Sequence, residues 1–120
     1  MQKATILKAD ECEVLTTEWG TLTWFASAKL QNSREMTVGR CIIKPGCENP
    51  LHSHPNCSEI LVVAHGMIMH TIEDGKEVEM KPGDTITLPP NLLHKARNAS
   101  DEDAVLFIAF SSADRQTVGE

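Results

Sequence analysis

Aromatic residues are scarce in this chain of 120 residues, which has three phenylalanines, two tryptophans and no tyrosine. Without tyrosine, no reaction can use a phenol as its acid or base. No apolar run approaches the roughly 18 residues of a membrane-spanning helix, so we expect no membrane partner. Lysine and arginine are dispersed, and the net charge is −6, which argues against nucleic acid as a partner.

The cysteines also lack a pairing pattern, because the four of them contain no C-x-x-C motif. They are Cys12, Cys41, Cys47 and Cys57. A chain of this length with 41% hydrophobic residues can build a core without disulfides. The N-terminus shows no apolar stretch that ends in a small-residue cleavage site. We therefore expect reduced thiols that fill apolar space and a cytoplasmic location.

Turn-forming residues are abundant and divide the chain at intervals of roughly 8–12 residues, which is typical of an all-β sandwich or barrel. The runs between them are rich in aliphatic and β-branched residues and lack the period of a helix. These runs predict strands over residues 21–26, 38–43, 59–64, 67–72, 85–88 and 105–110. The pair Asp74-Gly75 predicts a hairpin between two of the strands.

The alternation within two predicted strands indicates which side chains face the interior. Ile68 and Ile72 share one face with His70, so this face is expected to point inward. On the preceding strand, Glu59 shares its face with Leu61. A carboxylate and an imidazole are therefore expected inside the barrel.

Three histidines and one glutamate form the most informative pattern in the chain: His52, His54, Glu59 and His94. The first two histidines are two residues apart, so on a strand their imidazoles project from the same face. His94 is distant in sequence but reachable when the sheet closes on itself. Such a nitrogen and oxygen set suits Mn, Fe, Co, Ni, Cu or Zn. With three neutral imidazoles and one carboxylate, a divalent ion keeps a net positive charge that attracts an anionic substrate oxygen.

The spacing G-x5-H-x-H-x4-E-x6-G, from Gly46 to Gly66, resembles the first motif of the cupin superfamily. The second cupin motif, G-x5-P-x-G-x2-H-x3-N, is matched over residues 83–98 with one departure. Asn91 stands where the motif has glycine, and asparagine tolerates the left-handed backbone that such a turn requires.

The resemblance implies a double-sheet jelly-roll β-barrel with a metal ion at its centre, held by His52, His54, Glu59 and His94. We predict a single domain over residues 1–120, with a barrel core at about 36–112 and flanking strands over 1–35. Cupin dimers form through such flanking strands, so a homodimer is expected. The apolar residues offered for that interface, or alternatively for covering the core, are Trp19, Leu22, Trp24 and Phe25.

A tetrahedral zinc site is an alternative use of the first two histidines. Its four ligands would be Cys47, His52, His54 and Cys57. This alternative leaves Glu59 and His94 without a role.

The first functional interpretation is a metal-dependent cupin enzyme that acts on a small oxygenated metabolite. Isomerase or lyase chemistry on sugar-like acids and dioxygenase chemistry on enolisable compounds both remain open. The lack of tyrosine makes cupin epimerases and lyases with a catalytic tyrosine poor matches. Candidate general bases are Glu59, His70 and a metal-bound hydroxide, although His70 is alternatively a core histidine. His65, beside the turn at Gly66, is expected on the surface.

Two other interpretations belong to different classes of protein. The chain could be a non-catalytic module that binds or senses a small ligand through the metal, because this fold serves both purposes. It could also be a structural barrel with a vestigial site. In the first two interpretations, the partner is a small molecule.

Overall fold

The computed structural model describes residues 3–119, and its strands form one large and two small antiparallel sheets. Residues 1, 2 and 120 of the predicted domain lie outside the described residues. In chain order the strands are β1 (Glu13–Thr16), β2 (Gly20–Ala26), β3 (Thr37–Ile43), β4 (His52–Ser53), β5 (Glu59–His65), β6 (Ile68–Thr71), β7 (Glu77–Met80), β8 (Thr85–Leu88), β9 (Ala96–Asn98), β10 (Ala104–Phe110) and β11 (Val118–Gly119). Two short 3₁₀ turns span Ala9–Glu11 and Glu73–Gly75.

The large sheet has the strand order β1-β2-β3-β10-β5-β8, and the small sheets are β7-β6-β9 and β4-β11. This architecture is the double-sheet jelly-roll β-barrel that the sequence predicts. All six predicted strands are present, and none of their ends moves by more than one residue. Within residues 3–119, no helix is long and apolar enough to cross a membrane.

The core is built by alternation along the three central strands of the large sheet. On β10, Leu106, Ile108 and Phe110 point inward and are buried, whereas Phe107 points outward and is 41% exposed. On β5, Glu59 is buried on the same side as Leu61 and Val63, as predicted. Because successive strand residues face opposite sides of the sheet, the carboxylate of Glu59 is carried into an apolar interior.

The turn residues adopt the backbone conformations that the motifs require. Gly46, Gly66 and Gly83 all have a positive φ, and so does Asn91, at +71°. Asparagine therefore supplies the left-handed residue at the position where the cupin pattern has glycine. A hairpin is present at the predicted turn, since β6 and β7 pair across Glu73–Gly75, but its second strand, β7, is not one of the six predicted strands.

The N-terminal strands β1 and β2 extend the large sheet beside β3. On β2, Trp24 is only 6% exposed and belongs to the hydrophobic core. Trp19 and Leu22 pack against the same core. Trp24 is therefore a core residue, whereas Trp19 and Leu22 are partly buried against the same core, and the predicted role of this group in a dimer interface stays a prediction. The predicted division into a barrel core and flanking strands stays a prediction.

Candidate metal centre

The four candidate ligands come from three separate parts of the fold. His52 is the first residue of β4, His54 is the first residue after that strand, and Glu59 is the first residue of β5. His94 lies in the loop between β8 and β9, where it forms an isolated antiparallel bridge with His52. The two residues exchange both backbone hydrogen bonds, at 3.0 and 2.8 Å. This bridge explains how a residue 42 positions further along the chain reaches the first two histidines.

The ligand atoms of His52, His54, Glu59 and His94 all lie within 4.8 Å of one another. The Oε1 atom of Glu59 is 3.0 Å from Nε2 of His94 and 3.3 Å from Nε2 of His54. His54, Glu59 and His94 are buried, and His52 is half-buried. The four side chains predicted from the sequence therefore converge on one point inside the barrel.

Backbone carbonyl groups hold the Nδ1 atom of each histidine in this cluster. The partners are the carbonyl oxygens of Pro50 for His52, Gln116 for His54 and Leu92 for His94, at 2.6, 2.9 and 2.9 Å. A carbonyl oxygen can only accept a hydrogen bond, so each Nδ1 carries the proton. In each neutral imidazole the lone pair then lies on Nε2, which faces the cluster, and this is the arrangement that orients metal-binding histidines.

Two further observations indicate that the four side chains of the cluster suit a transition-metal ion. Nε2 of His54 is buried and has no hydrogen-bond partner among the described residues, although Oε1 of Glu59 lies 3.3 Å away. In addition, two ligands at about 2.1 Å from one ion and at right angles lie roughly 3.0 Å apart, which is close to the two measured separations. A buried nitrogen without a partner is costly unless something else binds it. The cluster could therefore hold a metal ion.

The charges of the cluster also suit a cation. Burial alone would raise the pKa of Glu59, but its contacts with His54 and His94 lower that pKa to about 2. Burial lowers the pKa of His52 to about 4, so its imidazole is neutral at pH 7. For His94, burial lowers the pKa, but the hydrogen bond to Glu59, the charge of Glu59 and the hydrogen bond to the Leu92 carbonyl together outweigh it, so the pKa is raised. Because Nδ1 of His94 donates to the Leu92 carbonyl, donation from Nε2 to Glu59 makes this imidazole the one cationic member of the cluster. A metal ion that binds Nε2 must displace this proton, so we expect metal uptake to release a proton.

A cavity of about 220 Å³ lies beside the cluster and is mostly apolar. Its wall includes Trp19, Leu22 and Trp24 from the N-terminal part and Arg115 from the segment after β10. At about 30 Å³ per water molecule, the cavity has room for roughly seven waters. It can therefore admit a small molecule next to the four ligand side chains.

His70 lines the same cavity and is 1% exposed. Its Nδ1 donates a hydrogen bond to the carbonyl oxygen of Thr71, at 2.8 Å, and its buried Nε2 has no partner among the described residues. The ring is stacked on that of His94, with 5.6 Å between the centroids. Burial lowers the pKa of His70, which favours a neutral imidazole with a free acceptor nitrogen. The structure thus brings this second catalytic candidate close to the cluster.

The cysteines and the histidine that the sequence analysis considered beside the cluster lie outside it. Among residues 3–119, the cysteines do not join the cluster, so the zinc alternative with Cys47 and Cys57 is wrong. Cys57 is instead buried in the hydrophobic core, and Cys47 packs against it. His65 is exposed and pairs with Glu102 at 3.0 Å, as expected of a surface residue.

Sequence reasoning did not find Arg115. This residue belongs to no motif and follows the last long strand, in a stretch without strong periodicity. Only its position in the cavity wall marks it as a functional candidate. An arginine next to a predicted metal ligand in the sequence would have suggested a role in the site. Arg115, however, lies 21 positions after His94, the last predicted ligand.

The buried thiol of Cys41 gives a prediction about reactivity. Burial, with the nearby charge of Glu59, raises its pKa from 9.0 to about 12. A raised pKa favours the protonated thiol, so at pH 8 the thiolate fraction is roughly 1,000-fold below that of a thiol with a pKa of 9.0. We expect iodoacetamide to label Cys12 in the folded protein but Cys41 only after unfolding, as measured by peptide mass spectrometry. Equal labelling rates for the two thiols in the folded protein would contradict this assignment.

The fold and the cluster together define a double-sheet β-barrel protein with a buried site of three histidines and one glutamate. A family model described as "Cupin domain" matches residues 39–110. The chain therefore belongs to the cupin family. Two curated relatives are a germin-like protein from Morus alba, 35% identical over 85 residues, and an auxin-binding protein from Prunus persica, 34% identical over 85 residues.

Each of these alignments covers 68% of this chain and 41% of the relative, so the chain spans about two fifths of the length of these relatives. Among solved structures, an oxalate decarboxylase variant from Bacillus subtilis is similar, with a TM-score of 0.80 and 24% sequence identity. That alignment covers 89% of this chain and 29% of the decarboxylase chain. At this identity the similarity shows the fold alone.

Proposed function

We propose that this protein is a metal-dependent enzyme that acts on a small oxygenated metabolite, with His52, His54, Glu59 and His94 as the metal ligands. The observation that carries the proposal is the convergence of these four buried or half-buried side chains beside a cavity. Catalytic metal centres combine protein ligands with open positions that face a pocket for the substrate.

The donor set supports a divalent transition metal, and Mn, Fe, Co, Ni, Cu and Zn are all compatible with it. Oxalate decarboxylase from Bacillus subtilis, a structural neighbour of this chain, has Mn(II) centres, so manganese is the first ion to test. When bound, such an ion polarises a substrate oxygen and lowers the pKa of a coordinated water.

His70 is the better placed of the two candidate general bases. Its Nε2 is buried and makes no hydrogen bond, and its side chain is among those that line the cavity, so we assign to it the acceptance of a proton from a substrate. Glu59 already makes contacts with His54 and His94, and it would have to leave them in order to act as a base. We therefore assign proton transfer to His70 and ligand binding to Glu59.

Two substitutions test these roles in protein loaded with manganese or iron. We expect His70→Gln to lower turnover by roughly 100-fold or more with unchanged metal content, because only the base is removed. We expect Glu59→Gln to lower both turnover and metal content, because a charged ligand is lost. Sugar acids and enolisable diketones are the substrates to screen, with product formation and O₂ uptake as the measurements.

The exposed His65 offers a matched control for this pair, since His65→Gln makes the same chemical change outside the site. Its turnover is expected to equal that of the wild type. If His70→Gln also retains full turnover, His70 is not the base. If Glu59→Gln retains all of its metal, Glu59 is not a ligand.

A non-catalytic ligand-binding module is the second candidate function. The observation that favours it is the apolar wall of the cavity, together with a relative that is named an auxin-binding protein. Saturable binding of a small molecule by the metal-loaded protein, without turnover of any screened compound, would favour this function over catalysis.

A homodimer is part of the proposal. The outer face of the large sheet carries Phe107 and Ile60 on neighbouring strands, with exposures of 41% and 49%. The edge strand β1 adds the exposed side chains of Val14 and Leu15, and within residues 3–119 it pairs with β2 alone. A second copy of the chain can cover this apolar face and edge symmetrically.

We expect Phe107→Glu to shift the protein from dimer to monomer, because it places a charge in the apolar face. Light scattering after size-exclusion chromatography measures the mass. Val78→Glu is the matched control, since Val78 is 42% exposed on a different sheet. A wild-type protein that is monomeric at all concentrations would refute the homodimer.

A cytoplasmic location is also part of the proposal. All four cysteines are free thiols in the structure, which suits a reducing compartment. Localisation of a fluorescent fusion protein in the source cells tests this point directly.

A further inference from the structure

We infer that Arg115 binds the carboxylate group of the substrate, so that the site selects small organic acids with an apolar body. The inference rests on the proposed function of the metal site and narrows its substrate class. Neither cupin motif contains this residue, and it enters the site from the segment after β10.

The guanidinium of Arg115 lies close to two aromatic rings. Its central carbon lies 4.0 Å from the ring centroid of Trp24 and 5.2 Å from that of Phe110. One terminal nitrogen donates a hydrogen bond to Oγ1 of Thr117, at 2.7 Å. The cation–π contacts and this hydrogen bond restrict the position of the group, and its other donors remain available beside the cavity.

The remaining donors of Arg115 have no carboxylate partner. Within residues 3–119, seven close contacts join a lysine, arginine or histidine nitrogen to a carboxylate, and none of them includes Arg115. A guanidinium has five N–H donors, of which Thr117 occupies one. Arginine binds carboxylates with two parallel hydrogen bonds, so an organic acid in the cavity matches its free donors.

The position of Arg115 in the chain places it close to the metal cluster. The next residue, Gln116, provides the carbonyl oxygen that holds Nδ1 of His54 at 2.9 Å. A cationic group and a candidate metal centre therefore face one cavity, although the chain as a whole has a net charge of −6. Burial also lowers the pKa of Arg115, because its charge has lost part of its hydration. An anionic ligand would replace that hydration.

The rest of the cavity wall indicates which chemical groups, besides the carboxylate, a bound acid can have. Aliphatic and aromatic side chains dominate the wall, including Trp19, Leu61, Leu106 and Ile108. A polyhydroxylated sugar acid would lose water at its hydroxyl groups and find few partners here. An acid with a planar or branched apolar body buries its surface against these side chains.

The experiment uses the zinc-loaded protein and two ligands of nearly equal shape, benzoate and its uncharged analogue benzamide. Isothermal titration calorimetry measures their affinities, and elemental analysis measures the zinc in each sample. We expect benzoate to bind more tightly than benzamide. We expect Arg115→Gln to weaken benzoate binding by roughly 10- to 100-fold, because a charged pair of hydrogen bonds is lost, while zinc content stays unchanged.

Two further variants complete the set. Arg115→Lys keeps the charge without the planar fork and is expected to retain part of the affinity. Arg34→Gln removes the same charge from an exposed position and is expected to bind benzoate like the wild type. If Arg115→Gln does not fold, as judged by circular dichroism, the comparison of Arg115→Lys with Arg34→Gln carries the test.

Three results would overturn the inference: no saturable binding of benzoate, equal affinity for benzoate and benzamide, or wild-type affinity in both Arg115 variants. Failure of the metal proposal gives a different result, because the wild type would then take up no zinc. Benzoate binding that depends on Arg115 in protein treated with a chelator would uphold the role of Arg115 without the metal.

Discussion

The double variant His52→Ala, His94→Ala is expected to purify with little or no bound metal from cells that supply metal to the wild type. Loss of a partner that only orients a metal ligand costs about 10- to 100-fold in affinity, and each of these substitutions removes a ligand itself. The double variant also breaks up the pair of imidazoles whose centroids lie 4.3 Å apart. Elemental analysis of both proteins, purified without added metal, measures the effect.

The exposed His65 again offers a control, since His65→Ala removes an imidazole that pairs with Glu102 at the surface. Its metal content is expected to equal that of the wild type. If the double variant keeps the same metal content as the wild type, the third interpretation, a barrel with a vestigial site, is favoured instead. Circular dichroism of the double variant separates loss of metal from loss of fold.

Gly39→Ala is expected to destabilise the protein by about 3 kcal/mol, at the upper end of the cost of overpacking a core. Gly39 lies in β3 opposite Trp24 of β2. A β-carbon on Gly39 would come within 2.5 Å of the Trp24 ring and 2.7 Å of the carbonyl oxygen of Thr23. The ring cannot retreat easily, because its other neighbours are Phe110 and the guanidinium of Arg115.

Thermal unfolding followed by circular dichroism measures this loss, which corresponds to a fall in Tm of roughly 10 °C. Gly75→Ala is the control, because a β-carbon there meets nothing within 4 Å. Its positive φ of 76° should cost only about 1–2 kcal/mol. A Gly39→Ala variant as stable as the wild type would show that Trp24 does not fill the space beside this strand.

The strands that the sequence did not predict are short or exposed. The strand β7 has three exposed residues out of four, so it lacks the apolar alternation that marks a half-buried strand. The strands β4 and β11 have two residues each, and they exist because Val118 pairs with Ser53 and Gly119 with His52. Pairing of this kind depends on segments that are far apart in the sequence, so local patterns carry no signal for it.

The positions of the large apolar residues before the motifs also could not be predicted from local patterns. The sequence marks Trp19, Leu22 and Trp24 as apolar but does not say which surface they cover. For the two residues that lie in β2, the register of β2 on β3 decides which face they take, since Trp24 pairs with Gly39 and Leu22 with Cys41. A shift of this register by one residue would turn each side chain to the opposite face of the sheet.

The sequence alone determined the family, the six main strands and the identity of the four clustered side chains. These features are local, because they depend on turn residues, on the two-residue period of a strand and on motif spacing. The tertiary structure decided which nitrogen of each histidine faces the cluster, since the carbonyl groups of Pro50, Gln116 and Leu92 hold the other one. It also decided that Arg115 lines the cavity. Both outcomes require contacts between distant segments, which form only when the barrel closes.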